Sequence, residues 1–92
     1  LRTIRPMDHK TILESVKKTN RLVILEEAWP FGNVSTEICY KVQNQIFDYL
    51  DAPIQKINTA DTPAPFSPKL LEGWLPNYQD VIKAVKKVIY FK

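Results

Sequence analysis

A small α/β domain built on a mostly parallel sheet is the fold that three features of this 92-residue sequence predict. Leu22-Val23-Ile24-Leu25 is an uninterrupted apolar run between Asn20-Arg21 and Glu26-Glu27. Four such residues suit an interior strand with both faces buried. Apolar residues spaced at three and four lie on both sides of that run, as helices crossing over a sheet would place them. Residues 54–58 supply a second parallel strand, with Ile54 and Ile57 apolar and Pro53 tolerable only at its start.

Taken in order, Leu1 and Thr3 alternate with Arg2 and Ile4, which suits the tail of a strand that has lost its beginning. Arg5-Pro6-Met7 turns the chain. Asp8 then caps a helix with Thr11 at its third position and with Ile12, Leu13 and Val16 on one face. Lys17 and Lys18 suit its last turn, and Asn20 can take the left-handed conformation that ends it. After the central strand, Phe31-Gly32-Asn33 is a loop, with Asn33 or Ser35 placed to cap the next helix. Val34, Ile38, Val42, Ile46, Tyr49 and Leu50 mark that helix as the longest, over residues 34–50. Asp51-Ala52-Pro53 stops it.

Three prolines within residues 59–68 exclude regular structure there and leave an ordered or extended loop. A short helix follows at residues 69–74. Asn77 with Asp80 three positions on is a capping signal for the last helix. Val81, Ile82, Val85, Val88 and Ile89 give that helix its expected buried stripe. No repeat or second domain appears, so residues 1–92 read as one domain with a modest core, burying about 60 to 65 percent of the unfolded surface.

Composition narrows the function classes. Hydrophobic residues make up 45% and charged residues 25%, and no apolar run approaches the roughly 20 residues of a membrane-spanning helix. Nothing reads as a signal peptide, and a single cysteine fits a reducing compartment. The net charge of +3 concentrates at Lys83, Lys86, Lys87 and Lys92, which is a local patch. Without a basic stripe interleaved with aromatics, no nucleic-acid partner is expected.

Catalytic candidates are few. His9, the only histidine, stands beside Asp8, which could orient it, but no further catalytic partner is in view. Glu26 and Glu27 follow the central strand, where open α/β sheets place ligands; the alternative is that they cap a helix or pair with a lysine. Cys39 falls among Ile38 and Val42 and packs as a small hydrophobe. One histidine and one cysteine give no metal-ligand spacing, and Gly32 and Gly73 alone cannot form a phosphate cradle. Trp29, Phe31, Phe66, Trp74, Tyr78, Tyr90 and Phe91 serve either the core or an interface.

Four ordered blocks carry a family resemblance: residues 1–8 (LRTIRPMD), 21–30 (RLVILEEAWP), 49–53 (YLDAP) and 60–68 (ADTPAPFSP). Together they resemble the transketolase C-terminal domain family, most closely the pyruvate dehydrogenase beta-subunit branch. The resemblance implies a three-layer α/β/α fold around a mostly parallel sheet that lacks the first strand and helix. The open sheet edge left behind invites pairing with another chain, including a homodimer.

It also implies that no residue here is catalytic or cofactor-binding. Thiamine diphosphate and magnesium belong to other parts of the parent enzyme. The implied partners are the alpha subunit, a second beta subunit, and the peripheral-subunit-binding domain of the dihydrolipoyl acyltransferase, with no membrane partner. The implied docking residues are Asp51, from the LDAP motif, and the C-terminal Phe91 and Lys92. Lys92 extends one residue past the family's usual terminus and sets a positive charge beside the carboxylate. The implied compartment is the bacterial cytoplasm or the mitochondrial matrix. Within the family, a branched-chain 2-oxoacid dehydrogenase or another transketolase-like enzyme is the alternative. From another class, a small-molecule-binding α/β regulatory domain would use Glu26 and Glu27.

Overall fold

A computed structural model describes residues 1–90 of the chain. Its first helix, α1 (His9–Thr19), starts where the sequence signals it: Asp8 Oδ1 accepts from the Thr11 backbone N–H at 3.1 Å and Oδ2 from the Thr11 hydroxyl at 2.7 Å. The helix ends at Asn20, whose φ of 64° is left-handed and whose N–H donates to the Val16 carbonyl at 2.7 Å.

The two Thr11 hydrogen bonds, the side-chain one foremost, hold the Asp8 carboxyl below its ordinary value. A depressed folded-state value means the cap stabilises the fold above the carboxylate's unfolded value and is lost as pH falls through the folded one. Thermal melts from pH 7 down to pH 2 should therefore show an acid loss in the wild type that is flattened in Asp8→Asn. Equal pH profiles would remove Asp8 as its source.

Two strands follow the pattern expected. β1 (Val23–Leu25) and β2 (Gln55–Ile57) run parallel, with Val23 opposite Gln55, Ile24 opposite Lys56 and Leu25 opposite Ile57. Between them lies α2 (Val34–Ile46), and after them α3 (Pro68–Trp74) and α4 (Tyr78–Ile89). One sheet face, bearing Leu22, Ile24 and Ile54, packs with α1 and α2 on a core of Val16, Ile38, Val42 and Ile46. Because successive strand residues face opposite ways, Val23, Leu25 and Ile57 belong to the other face, which α4 covers with Ala84 and Val88. The layers are thus helices, sheet, helix.

Four sequence expectations are corrected. Residues 1–3 form no strand and residues 4–7 turn, so the sheet has two strands among the described residues, not three. β1 consequently pairs on one side only, and Leu25 is 57% exposed where an interior strand would bury it.

The helix expected over residues 34–50 stops at Ile46, whose φ of −136° leaves the helical region. A 3₁₀ turn (Phe47–Tyr49) tightens the end through the Leu50 N–H to Phe47 carbonyl bond. On α4, Ala84 and Val88 face the sheet, since a small side chain lets helix and sheet approach. Ile82, Val85 and Ile89 point away from it and stay exposed.

The proline-rich loop after β2 is ordered by long-range hydrogen bonds. Both tryptophan indoles, Trp29 and Trp74, donate to the Thr62 carbonyl, at 2.7 and 2.8 Å. Thr59 N–H donates to Ala28 O at 2.9 Å and Ala60 N–H to Trp74 O at 3.0 Å. Pro68 opens α3 at its first position, where its missing N–H costs nothing. Asn77 and Asp80 form the reciprocal cap of α4, at 3.0 and 3.1 Å.

Candidate functional site

Asp51 sits just past the 3₁₀ turn, at a junction where three segments meet. Its backbone N–H donates to the Asn20 carbonyl at 2.8 Å, so the left-handed end of α1 fixes its position. The Asn20 amide in turn donates to the carbonyls of Tyr49 at 3.0 Å and Lys17 at 3.1 Å, in the orientation that satisfies both. Lys17 also lies 5.4 Å from the centre of the Tyr49 ring, a cation–π contact.

Arg21 joins this junction to α4. Its Nε donates to the Val88 carbonyl at 2.9 Å, and its Nη1 stands 3.8 Å from Asp51 Oδ2. The end of the last helix and Asp51 thereby come together around one guanidinium. The Asp51 side chain remains 55% exposed, so its carboxylate is open to a partner. Phe91 and Lys92, the other residues of the expected docking surface, lie outside the described residues.

The strand-end carboxylates divide. Glu26 is occupied within the fold: it accepts from the Ser35 backbone N–H at 3.2 Å, from the Ser35 hydroxyl, and from Asn58 Nδ2 at 2.7 Å. It therefore caps α2 from a distance, a duty the sequence suggested for Asn33 or Ser35. Asn33 occupies the cap position, but its amide donates instead to the Trp29 and Phe31 carbonyls, at 2.7 and 3.2 Å. Glu27 is exposed at the same strand end.

Among the described residues, Asp8 accepts from the Thr11 backbone and hydroxyl, and no hydrogen bond joins it to the His9 ring. Cys39 is half-buried, and burial pushes its thiol upward, against a smaller opposing effect of Lys56, so it is a poor nucleophile at neutral pH. Lys56 itself is tied to the Pro30 carbonyl at 2.6 Å and the Thr36 hydroxyl at 2.9 Å.

A magnesium-bound diphosphate does not fit these residues. Among the described residues, no three His, Cys, Asp or Glu side chains converge to hold a cation, and neither glycine lies in a phosphate-cradling loop. Sequence reasoning missed Arg21 and Asn58, whose partners lie 67 and 32 positions away. No local signal marks them.

A family model described as the C-terminal domain of transketolase matches residues 1–81, from the start of the chain through both strands and into the first turn of α4. The chain belongs to the transketolase C-terminal domain family.

Members of this family similar to the chain include a pyruvate dehydrogenase E1 component subunit beta of Rickettsia felis, 55% identical over 91 residues, or 99% of this chain and 28% of the relative. A protein of the same name from Rhizobium meliloti is 54% identical over 90 residues, covering 98% of this chain and 20% of its own length. The mitochondrial subunit beta-1 of Arabidopsis thaliana is 46% identical over 90 residues, covering 98% and 25%. The chain thus spans roughly a quarter of the length of these transketolase-family relatives, a share between 20% and 28%.

Proposed function

We propose that this chain is the non-catalytic assembly and docking domain of a pyruvate dehydrogenase beta subunit. The parent enzyme would decarboxylate pyruvate oxidatively and pass the acetyl group to lipoyl groups. The observation that carries this reading is similarity along nearly the whole chain to proteins of that name, from 44% identical over 96% of the chain to 55% over 99%. Relatives in bacteria and in mitochondria support a cytoplasmic or matrix setting.

In the parent enzyme, thiamine diphosphate with magnesium would supply the electron sink for decarboxylation. The misfit of this chain's residues to that group supports placing it elsewhere in the parent enzyme. What this chain contributes is surface. The exposed apolar stripe of Ile82, Val85 and Ile89 on α4 supports burial against the alpha subunit or a second beta subunit, since such stripes favour subunit contact.

Asp51 would dock the peripheral-subunit-binding domain of the dihydrolipoyl acyltransferase, a basic partner whose lysines or arginines an exposed carboxylate can receive as charge-assisted hydrogen bonds. Its exposure and its fixed backbone support the assignment.

Binding of the assembled enzyme to that domain, measured for wild type and Asp51→Ala across a salt series, tests it. The variant should bind about tenfold more weakly at low salt and lose most of the salt dependence. Equal binding and equal salt slopes would sink the docking role of Asp51.

A further inference from the structure

Arg21 makes two contacts of unequal quality. Its Nε bond to the Val88 carbonyl, at 2.9 Å, is a full hydrogen bond, whereas its Nη1 at 3.8 Å from Asp51 Oδ2 is too distant for one. An unconstrained guanidinium meets a carboxylate through both prongs of its fork. Here the helix-end carbonyl holds the Nε edge, and the fork does not reach Asp51 squarely. Asp51 therefore carries a neighbouring cation that leaves its oxygens unsaturated, and both side chains stay open to water, at 38% for Arg21 and 55% for Asp51.

We infer that Arg21 is the resident counter-ion of Asp51, a positioning residue that partly neutralises the carboxylate and sets how strongly it draws a cationic partner. The inference rests on the docking reading above. A single lysine or arginine arriving at Asp51 meets the positive charge of Arg21 3.8 Å from its target, so part of the Coulomb gain is cancelled. A partner presenting several cations in a fixed array overcomes that cancellation, and a stray basic side chain does not. The device raises specificity through a repulsive element instead of through added affinity.

The tether also explains why Arg21 does not fold down onto Asp51 and close the site. The hydrogen bond to Val88 spans 67 positions and holds the guanidinium between α4 and the 3₁₀ turn.

The test uses the assembled enzyme and the acyltransferase's peripheral-subunit-binding domain as probe. Arg21→Gln should bind about two- to fivefold tighter at low salt, with a steeper salt dependence, as expected when an exposed competing ion pair is removed. Arg21→Met supplies a second neutral variant with the same expectation. Arg21→Lys keeps the charge and should stay within about twofold of wild type. None of the three keeps the guanidinium Nε that bonds Val88, so a merely structural role would weaken binding in the neutral variants instead of tightening it, and that result overturns the inference.

So does a neutral variant that binds no tighter than wild type. In an Asp51→Ala background, where no carboxylate draws the partner's cation beside Arg21, the gain from Arg21→Gln should be smaller than in the presence of Asp51, and an equal gain overturns the pairing of the two residues. If Asp51→Ala weakens binding while the neutral variants fail to tighten it, only the role of Arg21 falls. If Asp51→Ala leaves binding unchanged, the docking reading falls and this inference with it.

Discussion

Glu26→Ala is expected to destabilise the fold by about 2–4 kcal/mol, read as the midpoint shift in urea unfolding at neutral pH. Three donors converge on this carboxylate: the Ser35 backbone N–H, the Ser35 hydroxyl and Asn58 Nδ2. Ser35 is fully buried, so deleting the acceptor strands two of those donors where water cannot replace it. The carboxylate also lies at the positive end of α2, which adds to its worth.

A Glu26→Gln substitution retains one acceptor oxygen in the right place and should cost roughly half as much. The ratio matters more than either value. If Glu26 were held in reserve for a small-molecule ligand, the free protein would tolerate or prefer its removal, because uncompensated strand-end carboxylates repel. A loss below about 0.5 kcal/mol for Glu26→Ala would revive that reading.

The fold was legible in sequence wherever its determinants are local. Asp8 with Thr11, Asn20 with Val16, and Asn77 with Asp80 each act across three or four residues, and each stands where the sequence placed it. The parallel pairing of β1 and β2 was equally readable, since an apolar run and a proline-started strand separated by a helix leave few other topologies.

What could not be read depends on contacts between distant positions. Periodicity groups Ile82, Val85 and Ile89 with Val88, but it cannot tell which side of the stripe meets the sheet. The small side chain of Ala84 decides that, by letting α4 approach along its own face. Helical spacing overshoots the end of α2 for a similar reason. Tyr49 and Leu50 keep the helical spacing, yet they belong to a tighter turn that brings Asp51 against the Asn20 carbonyl.

The same holds for the site. Only the family resemblance points to Asp51, and nothing in the spacing of charges joins it to Arg21 or to the end of α4. The strand-end position of Glu26 fits a helix-capping role, but its partners are Ser35 on α2 and Asn58 just after β2, both distant in sequence. The double indole anchor on the Thr62 carbonyl was also invisible, since proline spacing says only that the loop lacks regular structure.

Ile46→Ala should carry the largest loss, about 2–5 kcal/mol, because it empties volume in a small, closely packed core. Ile46 is 4% exposed at the last turn of α2 and packs with Val16, Ile38 and Val42. A domain of this size has of order 5–15 kcal/mol in total, so such a loss leaves a marginal fold. Ile82→Ala, by contrast, removes the same atoms from a side chain 47% exposed on α4 and should stay within about 0.5 kcal/mol in the isolated chain.

The contrast tests where the core lies. If both isoleucines cost the same, the stripe of α4 is buried within the chain and the correction to its orientation is wrong. If only Ile46 matters to the chain alone while Ile82→Ala weakens the assembled enzyme, the stripe is stabilised between subunits. Ile46 also adjoins the 3₁₀ turn that presents Asp51, so a cavity there should reduce docking beyond its effect on folding. Ile38→Ala, one turn pair away from that end of the helix, should reduce stability without the added loss in docking.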